Sequence, residues 1–392
     1  MTATKHDPKD FENPPINWIP AIVLLSTPLL ALILVPWYLW THDLSFSVWL
    51  AFAFFMTWTG MSITAGYHRL FAHKSYEAHP IVKYFLLIGA TLAVQSSAFD
   101  WCSGHRVHHR HVDDEYDDPY SSKRGFWFSH IDWMLHKYPS GQYDYKNIPD
   151  LKKDKILQIQ HDYYGFWVVL SNLIFVGLAG LITGDMLGTF LMAGLLRLVL
   201  THHFTFFINS LCHMFGTRPY TDDNTARDNP ILALLTWGEG YHNYHHYFQY
   251  DYRNGVKWWQ YDPTKWFIAG LSKIGLAKEL KTVDDLTIKH AEVTMQFKRA
   301  QKLANGNAMS LDERMLAFKE RISAEYDEFT KTVEEWHALK AKSIELKRTE
   351  FASRLHEADE KLKEQFAQVE QKILAHSERI EKALLQFKGK TT

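Results

Sequence analysis

Cysteine and net charge are both scarce in this sequence. Only Cys102 and Cys212 occur among 392 residues, outside any CxxC pair, so neither a disulfide framework nor a redox dithiol is predicted. The 43 basic and 44 acidic residues give a net charge of -1, which argues against nucleic acid or another polyanion as a partner. Residues 1–15 are polar and lack an apolar run with a small-residue cleavage site, so we expect no removable signal peptide.

Proline is missing after Pro263, and nothing downstream therefore interrupts long helices. We predict a first helix from about Thr282 to Asn305, and a second that opens with a capping box from Ser310 to Glu313. Apolar residues then recur at three- and four-residue steps, at Leu311, Met315, Phe318, Ile322, Phe329, Val333, Trp336, Phe351, Leu355, Ala358, Leu362, Val369, Ile373 and Ile380. This stripe is typical of a coiled coil or helical hairpin, and predicts an extension at 283–392 that serves assembly or self-association rather than chemistry.

Charged residues are rare in four stretches of about the 20 residues that a membrane-spanning helix needs. These stretches cover residues 18–40, 45–67, 165–183 and 186–211. A fifth apolar run, at 81–99, is interrupted by Lys83 and by Gln95, Ser96 and Ser97, and we interpret it as interfacial or re-entrant.

The distribution of lysine and arginine predicts the orientation of these helices. The connectors at 41–44 and 184–185 contain neither residue, whereas 68–164 and the chain after His213 contain many. The positive-inside rule therefore places both termini and the middle segment in the cytoplasm. We predict an all-α integral membrane protein with four transmembrane helices and a cytoplasmic helical cap, divided into a cytoplasmic segment (1–17), a membrane domain (18–282) and the long-helix extension (283–392).

The 22 histidines are abundant and clustered. Positions i, i+3 and i+4 of a helix are neighbours on one face, so we expect each of two HxxHH motifs to present three imidazoles to one point. Asn209 and His213 share a face for the same reason. His68 and His73 lie about 140° apart around an α-helix, so we expect them to flank the point where the second membrane helix leaves the bilayer. The candidate ligands are His68, His73, His105, His108, His109, Asn209, His213, His242, His245 and His246.

Nine histidines and an asparagine are too many for one metal ion and suit two. Imidazole binds Zn, Cu, Fe or Ni, so the ligand type alone does not name the metal. Nearby carboxylates could balance the charge and orient the rings; the candidates are Glu239, Asp113, Asp114 and Glu115. For the last three, an ordinary solvated acidic residue is an equally good interpretation.

At this point the sequence resembles the membrane stearoyl-CoA-type Δ9 fatty acyl desaturases, over roughly residues 15–280. The matching strings are Gly66-Tyr67-His68-Arg69 through His73; His105-Arg106-x-His108-His109 with Asp118-Pro119, Arg124-Gly125-Phe126 and Ser129-His130; His203-x-Thr205, Asn209-Ser210 and His213 with Arg218-Pro219-Tyr220; Gly238-Glu239-Gly240-Tyr241-His242 through His246; and Trp258-Trp259-Gln260, Asp262 and Trp266. The resemblance implies a di-iron centre, O2 as co-substrate and a bent acyl tunnel. It places Trp101 and Thr205 at the tunnel bend, and Met56 and Gly60 where the tunnel ends.

The sequence departs from the animal acyl-CoA members at two basic positions. Ser103-Gly104 replaces Arg-Asp before the second histidine motif, and a basic cluster is reduced to Asp132-Trp133 followed by His136-Lys137. Both changes reduce the number of positive charges available to bind the phosphates of coenzyme A. Coenzyme A, acyl carrier protein and intact phospholipid therefore all remain open as acyl carriers.

Three functional interpretations follow from these patterns. The first is a desaturase that places a cis double bond, at the Δ9 position, into a saturated acyl thioester. The extension has no heme-ligating motif of a fused cytochrome b5, so electrons would come from a separate ferredoxin, rubredoxin or cytochrome b5 with its reductase. The second is a membrane di-iron hydroxylase of alkanes or sterols. The third is a metal transporter or sensor, which would place histidines along a path inside the membrane helices.

Overall fold

The computed structural model describes residues 6–306, 313–348 and 355–391, which are largely helical. In chain order the longer helices are α1 (Trp18–Thr41), α2 (Phe46–Ala72), α3 (Pro80–Leu92), α4 (Ala98–His111), α5 (Lys155–Asp162), α6 (Tyr164–Thr183), α7 (Met186–Met214), α8 (Pro230–Leu235), α9 (His242–Tyr247), α10 (Pro263–Lys273), α11 (Asp285–Gly306), α12 (Glu313–Arg348) and α13 (Leu355–Thr391). Two short strands, β1 (Glu77–Ala78) and β2 (Ala277–Lys278), pair antiparallel.

Four of these helices, α1, α2, α6 and α7, are long and apolar enough to cross a membrane. The prediction of an all-α protein with four membrane-spanning helices is therefore confirmed. The fifth apolar run forms α3, whose 13 residues fall short of the length needed to span a bilayer. It begins at Pro80, where His79 caps the first turn by accepting a hydrogen bond from the backbone N–H of Ile81.

The end of α2 departs from α-helical geometry, because residues Ser62–Ala72 form a π-helix. In a π-helix each backbone N–H bonds to the carbonyl five residues earlier. The carbonyls at this helix end are satisfied by side chains from later in the chain, as helix termini require. Ser75 Oγ donates to the Arg69 carbonyl at 2.8 Å, and Arg106 donates to the carbonyls of Phe71 and Ala72 at 2.8 and 2.9 Å.

The core around this segment packs the π-helix of α2 against α3, α4 and α10. Side chains with no solvent exposure include Tyr67, Leu86, Cys102 and Ile268. Gln160 on α5 donates to Tyr67 Oη at 2.7 Å, which satisfies the phenol within this apolar region. Burial of this kind fixes α2 and α4 side by side, so that side chains at their ends face each other.

The region from residue 283 onward, with residues 218–222, forms a separate compact unit. Helix α11 begins at Asp285, close to the predicted start at Thr282. Apolar side chains from α11, α12 and α13 share one core, and six members of the predicted stripe are buried in it: Phe329, Val333, Trp336, Val369, Ile373 and Ile380. Leu362 is also buried. The C-terminal long-helix extension is thus consistent with the structure. The first three residues of the predicted capping box (310–312, with Leu311) and Phe351 lie outside the described residues.

Candidate metal centre

The nine clustered histidines come from the ends of four helices. His68 lies in the π-helix of α2 and His73 follows its last residue, while α4, α7 and α9 carry the others. The start of α9 is held by Asp228, whose carboxylate accepts hydrogen bonds from the backbone N–H groups of Asn243 and Tyr244 at 2.8 and 3.1 Å. The helices therefore fix the direction of each imidazole before any ligand is considered.

The π-helix resolves the difficulty that the spacing of His68 and His73 raised. In a regular α-helix the two rings would diverge, and we therefore expected the pair to flank the point where the helix leaves the bilayer. In the structure the backbone N–H of His73 donates to the carbonyl of His68, five residues earlier, at 3.0 Å. The ring centroids of the two histidines are 4.8 Å apart as a result.

Five histidines form the first group, in which one nitrogen from each ring lies within 4.8 Å of all the others. The members are His68, His73, His105, His109 and His245. Nε2 of His245 is 3.0 Å from that of His68 and 2.9 Å from that of His109, and Nε2 of His73 is 2.7 Å from that of His105. Five nitrogens therefore face one point.

Four histidines, His108, His213, His242 and His246, form a second group by the same criterion. Nε2 of His246 is 3.3 Å from that of His108 and 3.0 Å from that of His242, which is 3.1 Å from Nε2 of His213. The ring planes of His109 and His246 stack with centroids 4.4 Å apart. The two groups are therefore neighbours and could hold a pair of metal ions.

Four of the nine rings have their Nδ1 atoms next to oxygen partners. Nδ1 of His105 lies 3.3 Å from the Tyr120 hydroxyl. Nδ1 of His68 lies 2.8 Å from Glu239 Oε2. Nδ1–H of His108 donates to Asp118 Oδ1 at 2.9 Å. Nδ1–H of His213 donates to the Thr225 hydroxyl at 2.8 Å, and that hydroxyl donates in turn to Asp113. Such partners fix the tautomer and leave Nε2 free to bind a metal ion.

The structure separates the four carboxylates that the sequence suggested. Glu239 contacts His68, and Asp113 reaches His213 through Thr225. Asp114 instead accepts hydrogen bonds from the backbone N–H groups of Tyr116 and Asp117, both at 3.0 Å, and Glu115 is exposed. Sequence reasoning did not select Asp118 as a partner of a ring, although Asp118-Pro119 stood among the matching strings.

Glu239 is held in a buried ion-pair network beside His68. Arg69 donates to Glu239 Oε1 at 2.9 Å and to Asp262 Oδ1 at 3.0 Å, and all three side chains are at most 3% exposed. Burial alone would raise the pKa of Glu239, but the nearby Arg69 and His68 hold it below its ordinary value. The carboxylate is therefore ionised and can balance positive charge at the metal centre.

Burial, followed by the electrostatic effect of neighbouring side chains, lowers the pKa of six of these rings well below the ordinary value of 6.5. They are His73, His105, His109, His242, His245 and His246. Metal binding requires neutral imidazole, so these rings are in the binding form at neutral pH. Buried neutral nitrogens in two convergent groups fit a pair of transition-metal ions.

A cavity of about 720 Å³ adjoins both groups and is lined by His68, His105, His108 and His242. Three of the four predicted tunnel residues, Gly60, Trp101 and Thr205, also line it, as does Asn209. The fourth predicted tunnel residue, Met56, does not line this cavity. Its Sδ accepts a hydrogen bond from the Thr201 hydroxyl at 3.7 Å. The size and partly apolar lining suit an extended aliphatic ligand.

Comparison with protein families matches residues 43–273 to the family described as fatty acid desaturase. The chain is 38% identical over 284 residues to the "Probable acyl-CoA desaturase" of Schizosaccharomyces pombe, covering 72% of this chain and 58% of that protein. It is 39% identical over 292 residues to "Acyl-CoA desaturase 1" of Saccharomyces cerevisiae, covering 73% and 56%.

A cyanobacterial relative is covered more fully. Identity to the "sn-1 stearoyl-lipid 9-desaturase" of Synechocystis is 40% over 239 residues, which covers 60% of this chain and 72% of that protein. The chain spans little more than half the length of the two fungal relatives. The family match covers more than half of this chain and includes every histidine of both groups. By these similarities, the protein belongs to the fatty acid desaturase family.

Proposed function

We propose that this protein is an O2-dependent fatty acyl desaturase that places a cis double bond, at the Δ9 position, into a saturated acyl chain. The observation that carries the proposal is that the two convergent histidine groups adjoin one cavity, whose volume of about 720 Å³ suits an aliphatic chain. The printed names of the relatives, which include acyl-CoA and stearoyl-lipid desaturases, support this reaction class.

We infer that the metal ions are two irons. Iron at this centre would supply activation of O2, which removal of hydrogen from an unactivated methylene requires. The group of five histidines would hold one ion. The group of four would hold the other, with Asn209 completing its ligands through a water molecule, since Asn209 lines the same cavity.

The reaction balances when the acyl chain loses two hydrogen atoms and O2 takes up these, two electrons and two protons to give two water molecules. Residues of the protein that line the cavity would hold the acyl group against the metal centre. They include Trp101, Thr205 and, on α2, Gly60. Gln95 donates to the Thr205 hydroxyl at 2.9 Å, which fixes that side chain in the wall.

The electron donor is proposed to be a separate protein of the ferredoxin, rubredoxin or cytochrome b5 type with its reductase. We further propose that both termini and the metal centre face the cytoplasm, on the argument from the distribution of lysine and arginine. Self-association through the C-terminal helices remains a proposal. The apolar stripe of the C-terminal extension already forms a core shared by α11, α12 and α13.

Expression in a host without its own desaturase, followed by fatty-acid analysis, tests the reaction. We expect a monounsaturated acid from the wild-type protein, none from His245→Ala, and an unchanged yield from His42→Ala, which alters an exposed histidine in the connector after α1. A hydroxylated product would support the membrane hydroxylase instead. Metal accumulation in cells without any new fatty acid would support a transporter or sensor.

The metal assignment has its own measurement. We expect about two iron ions per purified chain and a lower iron content in both His245→Ala, which changes the group of five, and His246→Ala, which changes the group of four. A single ion per chain in the wild-type protein, or full retention in both variants, would contradict the two-group arrangement.

A further inference from the structure

One part of the cavity wall is polar but carries no cation. It is formed by residues around the start of α1 and by the segment at 133–145, and includes Asn17, His136, Tyr138, Gln142, Tyr143 and Tyr145. Of the described residues that line the cavity, none is a lysine or an arginine. Hydroxyl, amide and imidazole groups therefore supply the polar contacts there.

Two carboxylates organise these polar groups. Asp100, which lines the cavity, accepts hydrogen bonds from Tyr145 Oη at 2.5 Å and from Ser97 Oγ at 2.7 Å. Asp132 accepts a hydrogen bond from Tyr138 Oη at 2.7 Å and lies 2.9 Å from Nδ1 of His136. Asp100 thus places a carboxylate in this part of the wall, with Asp132 next to it, and these two groups disfavour a polyanionic ligand.

Basic side chains next to this wall contact its tyrosine rings but do not line the cavity; Nζ of Lys152 lies 5.8 Å from the ring centroid of Tyr145. The guanidinium of Arg124 lies 3.7 Å from the ring centroid of Phe128 and 4.7 Å from that of Tyr138. Arg106 forms a pair of hydrogen bonds with Asp150, at 2.7 and 2.9 Å. The side chain of Lys137, next to His136, is exposed and is not part of the lining.

The small residues Ser103 and Gly104 let the segment after Tyr138 pack directly on α4. A Cβ at Gly104 would lie 2.5 Å from Tyr143 Oη. Ser103 donates to Asn147 Oδ1 at 2.7 Å, and Asn147 donates back to the Ser103 carbonyl at 2.8 Å. Larger or charged side chains at these positions would displace Tyr143, so this pair of residues brings an uncharged phenol into the wall.

The wall also includes membrane-spanning surface. Pro20, Val23 and Leu24 belong to α1, one of the four spanning helices, and all three line the cavity. An acyl chain that already lies in the bilayer could enter beside α1 without first passing through water. The cavity thus combines an apolar side within the span with a polar side that has no phosphate-binding cation.

We propose that the acyl chain is presented as an ester of a membrane glycerolipid and not as a thioester of coenzyme A. The inference rests on the proposed function and names its carrier. The acyl ester of a glycerolipid needs only hydrogen-bonding groups, which the tyrosines and amides provide. Coenzyme A would bring phosphate groups to a wall that includes the Asp100 carboxylate. The described lining has no lysine or arginine, so charge-assisted hydrogen bonds from it to phosphate could not form.

Binding can be measured without catalysis. The full chain is placed in phosphatidylcholine nanodiscs in which some lipid carries a photoactivatable stearoyl chain, and stearoyl-CoA is added as competitor. We expect crosslinks to cavity residues that a hundred-fold excess of stearoyl-CoA lowers by less than two-fold. Loss of these crosslinks at equimolar stearoyl-CoA would overturn the inference.

The same crosslinking experiment can be repeated with variants that add a positive charge. Gln142→Lys adds a cation to the wall and should increase competition by stearoyl-CoA at least ten-fold. Gln158→Lys adds the same charge at an exposed position of α5 and should change nothing. Equal behaviour of the two variants would contradict the assignment of this wall to the carrier.

Turnover separates failure of the carrier assignment from failure of the proposed function. Deuterated stearate is supplied either esterified in phosphatidylcholine or as stearoyl-CoA, with host membranes as electron source and acyl transfer monitored. Double-bond formation on the lipid supports the inference. Formation on stearoyl-CoA alone overturns it and leaves the desaturase function intact. Absence of product from both carriers in metal-replete protein counts against the proposed function, while the crosslinking result still decides the carrier.

Discussion

Asp118 holds the ring of His108 through Nδ1, at the opposite side from the nitrogen that faces the metal centre. Its other carboxylate oxygen accepts a hydrogen bond from the backbone N–H of Asp113 at 3.1 Å. The side chain is 1% exposed. One carboxylate therefore ties the loop after α4 to the imidazole, and both the orientation and the basicity of that ring depend on it.

We predict that Asp118→Asn weakens metal binding by about 10- to 100-fold, the usual effect of losing a carboxylate behind a ligating histidine. The asparagine can still accept from the backbone, so the loop should stay folded. Competition with a chelator measures the affinity. Asp114→Asn, in the same loop, is the matched control and should retain the wild-type affinity; equal losses in both variants would contradict the role of Asp118.

Gly60 and Trp237 meet at the cavity wall. A Cβ at position 60 would lie 2.5 Å from two carbon atoms of the Trp237 ring, too close for the ring to stay in place. Gly60 is eight residues before His68, and the π-helix begins between them. The space next to it is therefore available to the part of an acyl chain remote from the metal centre.

We predict that Gly60→Ala shifts the products toward shorter acyl chains, with at least a three-fold fall in the ratio of C18 to C16 monounsaturated acids. Overpacking should also cost about 1–3 kcal/mol of stability. Fatty-acid analysis measures the ratio. Gly177→Ala in α6, where a Cβ meets nothing within 4 Å, should leave the ratio unchanged. An unchanged ratio in a folded Gly60→Ala protein would count against this placement.

Helical spacing identified which rings share a helix face, but the expectation that each HxxHH set points to one position was wrong. His108 belongs to a different group from His105 and His109, and His245 to a different group from His242 and His246. Asp118 was missed because its contact with His108 depends on a turn in which Asp113 adopts a positive φ of 67°. The spacing of residues along the sequence does not predict local turn geometry of this kind.

At the scale of elements, the π-helix at the end of α2 and helix α4 are joined by Arg106. Besides the carbonyls of Phe71 and Ala72, Arg106 donates to the carbonyl of Asn147 at 2.8 Å and to both oxygens of Asp150. Asp150 is also 3.0 Å from Lys74. This arrangement connects the segment that carries His73 to the helix that carries His105.

We predict that Asp150→Asn lowers the free energy of unfolding by about 2 kcal/mol at pH 7, because a half-buried, charge-assisted pair of hydrogen bonds is lost. Although burial opposes it, hydrogen bonds from Arg106 and Lys74 lower the pKa of Asp150 from 3.8 to about 2. The stabilisation is therefore present above the ordinary pKa and disappears as the pH falls toward 2.

Thermal unfolding in detergent measures this difference between pH 7 and pH 3. The gap between the wild-type protein and Asp150→Asn should narrow over that range. Asp144→Asn, in the same segment but 63% exposed, should unfold at the same temperature as the wild-type protein at both pH values. A gap that widens on acidification would show that Asp150 is not the ionised partner of Arg106.

The π-helix itself could not be foreseen. Hydrophobic periodicity predicts that a segment is helical and apolar, but the choice between i+4 and i+5 hydrogen bonds depends on how Tyr76, Ser75 and Arg106 satisfy the carbonyls of the last turns. These partners come from outside the helix. The position of α2 in sequence was therefore predictable, while the direction of His73 was not.

At the scale of the whole molecule, apolar length and the loss of proline after Pro263 were sufficient to predict four spanning helices and a helical C-terminal region. Each feature depends on local composition. The sequence could not decide whether the apolar stripe of the extension packs within one chain or between chains. In the structure Phe329, Ile373 and Ile380 are fully buried in one core with Val293 of α11.

We predict that ending the chain after Thr282 leaves iron content and desaturation within two-fold of the full chain. The compact unit that holds the histidines ends at this residue. Truncation at residue 305 is the informative comparison, since it keeps α11 but removes the helices that cover Val293 and Phe297, and it should aggregate. Size-exclusion chromatography and iron analysis measure both outcomes. Loss of iron in the protein ending at Thr282 would assign the extension a role in the metal centre.

Both cysteines are fully buried, and Cys102 Sγ donates to the Tyr67 carbonyl at 3.4 Å. Burial also raises the pKa of the Cys102 thiol, so an impermeant maleimide should leave the natural chain unlabelled. Single reporter thiols can therefore be added without first deleting native ones. Asp43→Cys and Lys278→Cys should react from opposite faces of sealed vesicles. Labelling of both from one face would contradict the placement of the α1–α2 connector and residue 278 on opposite sides of the membrane.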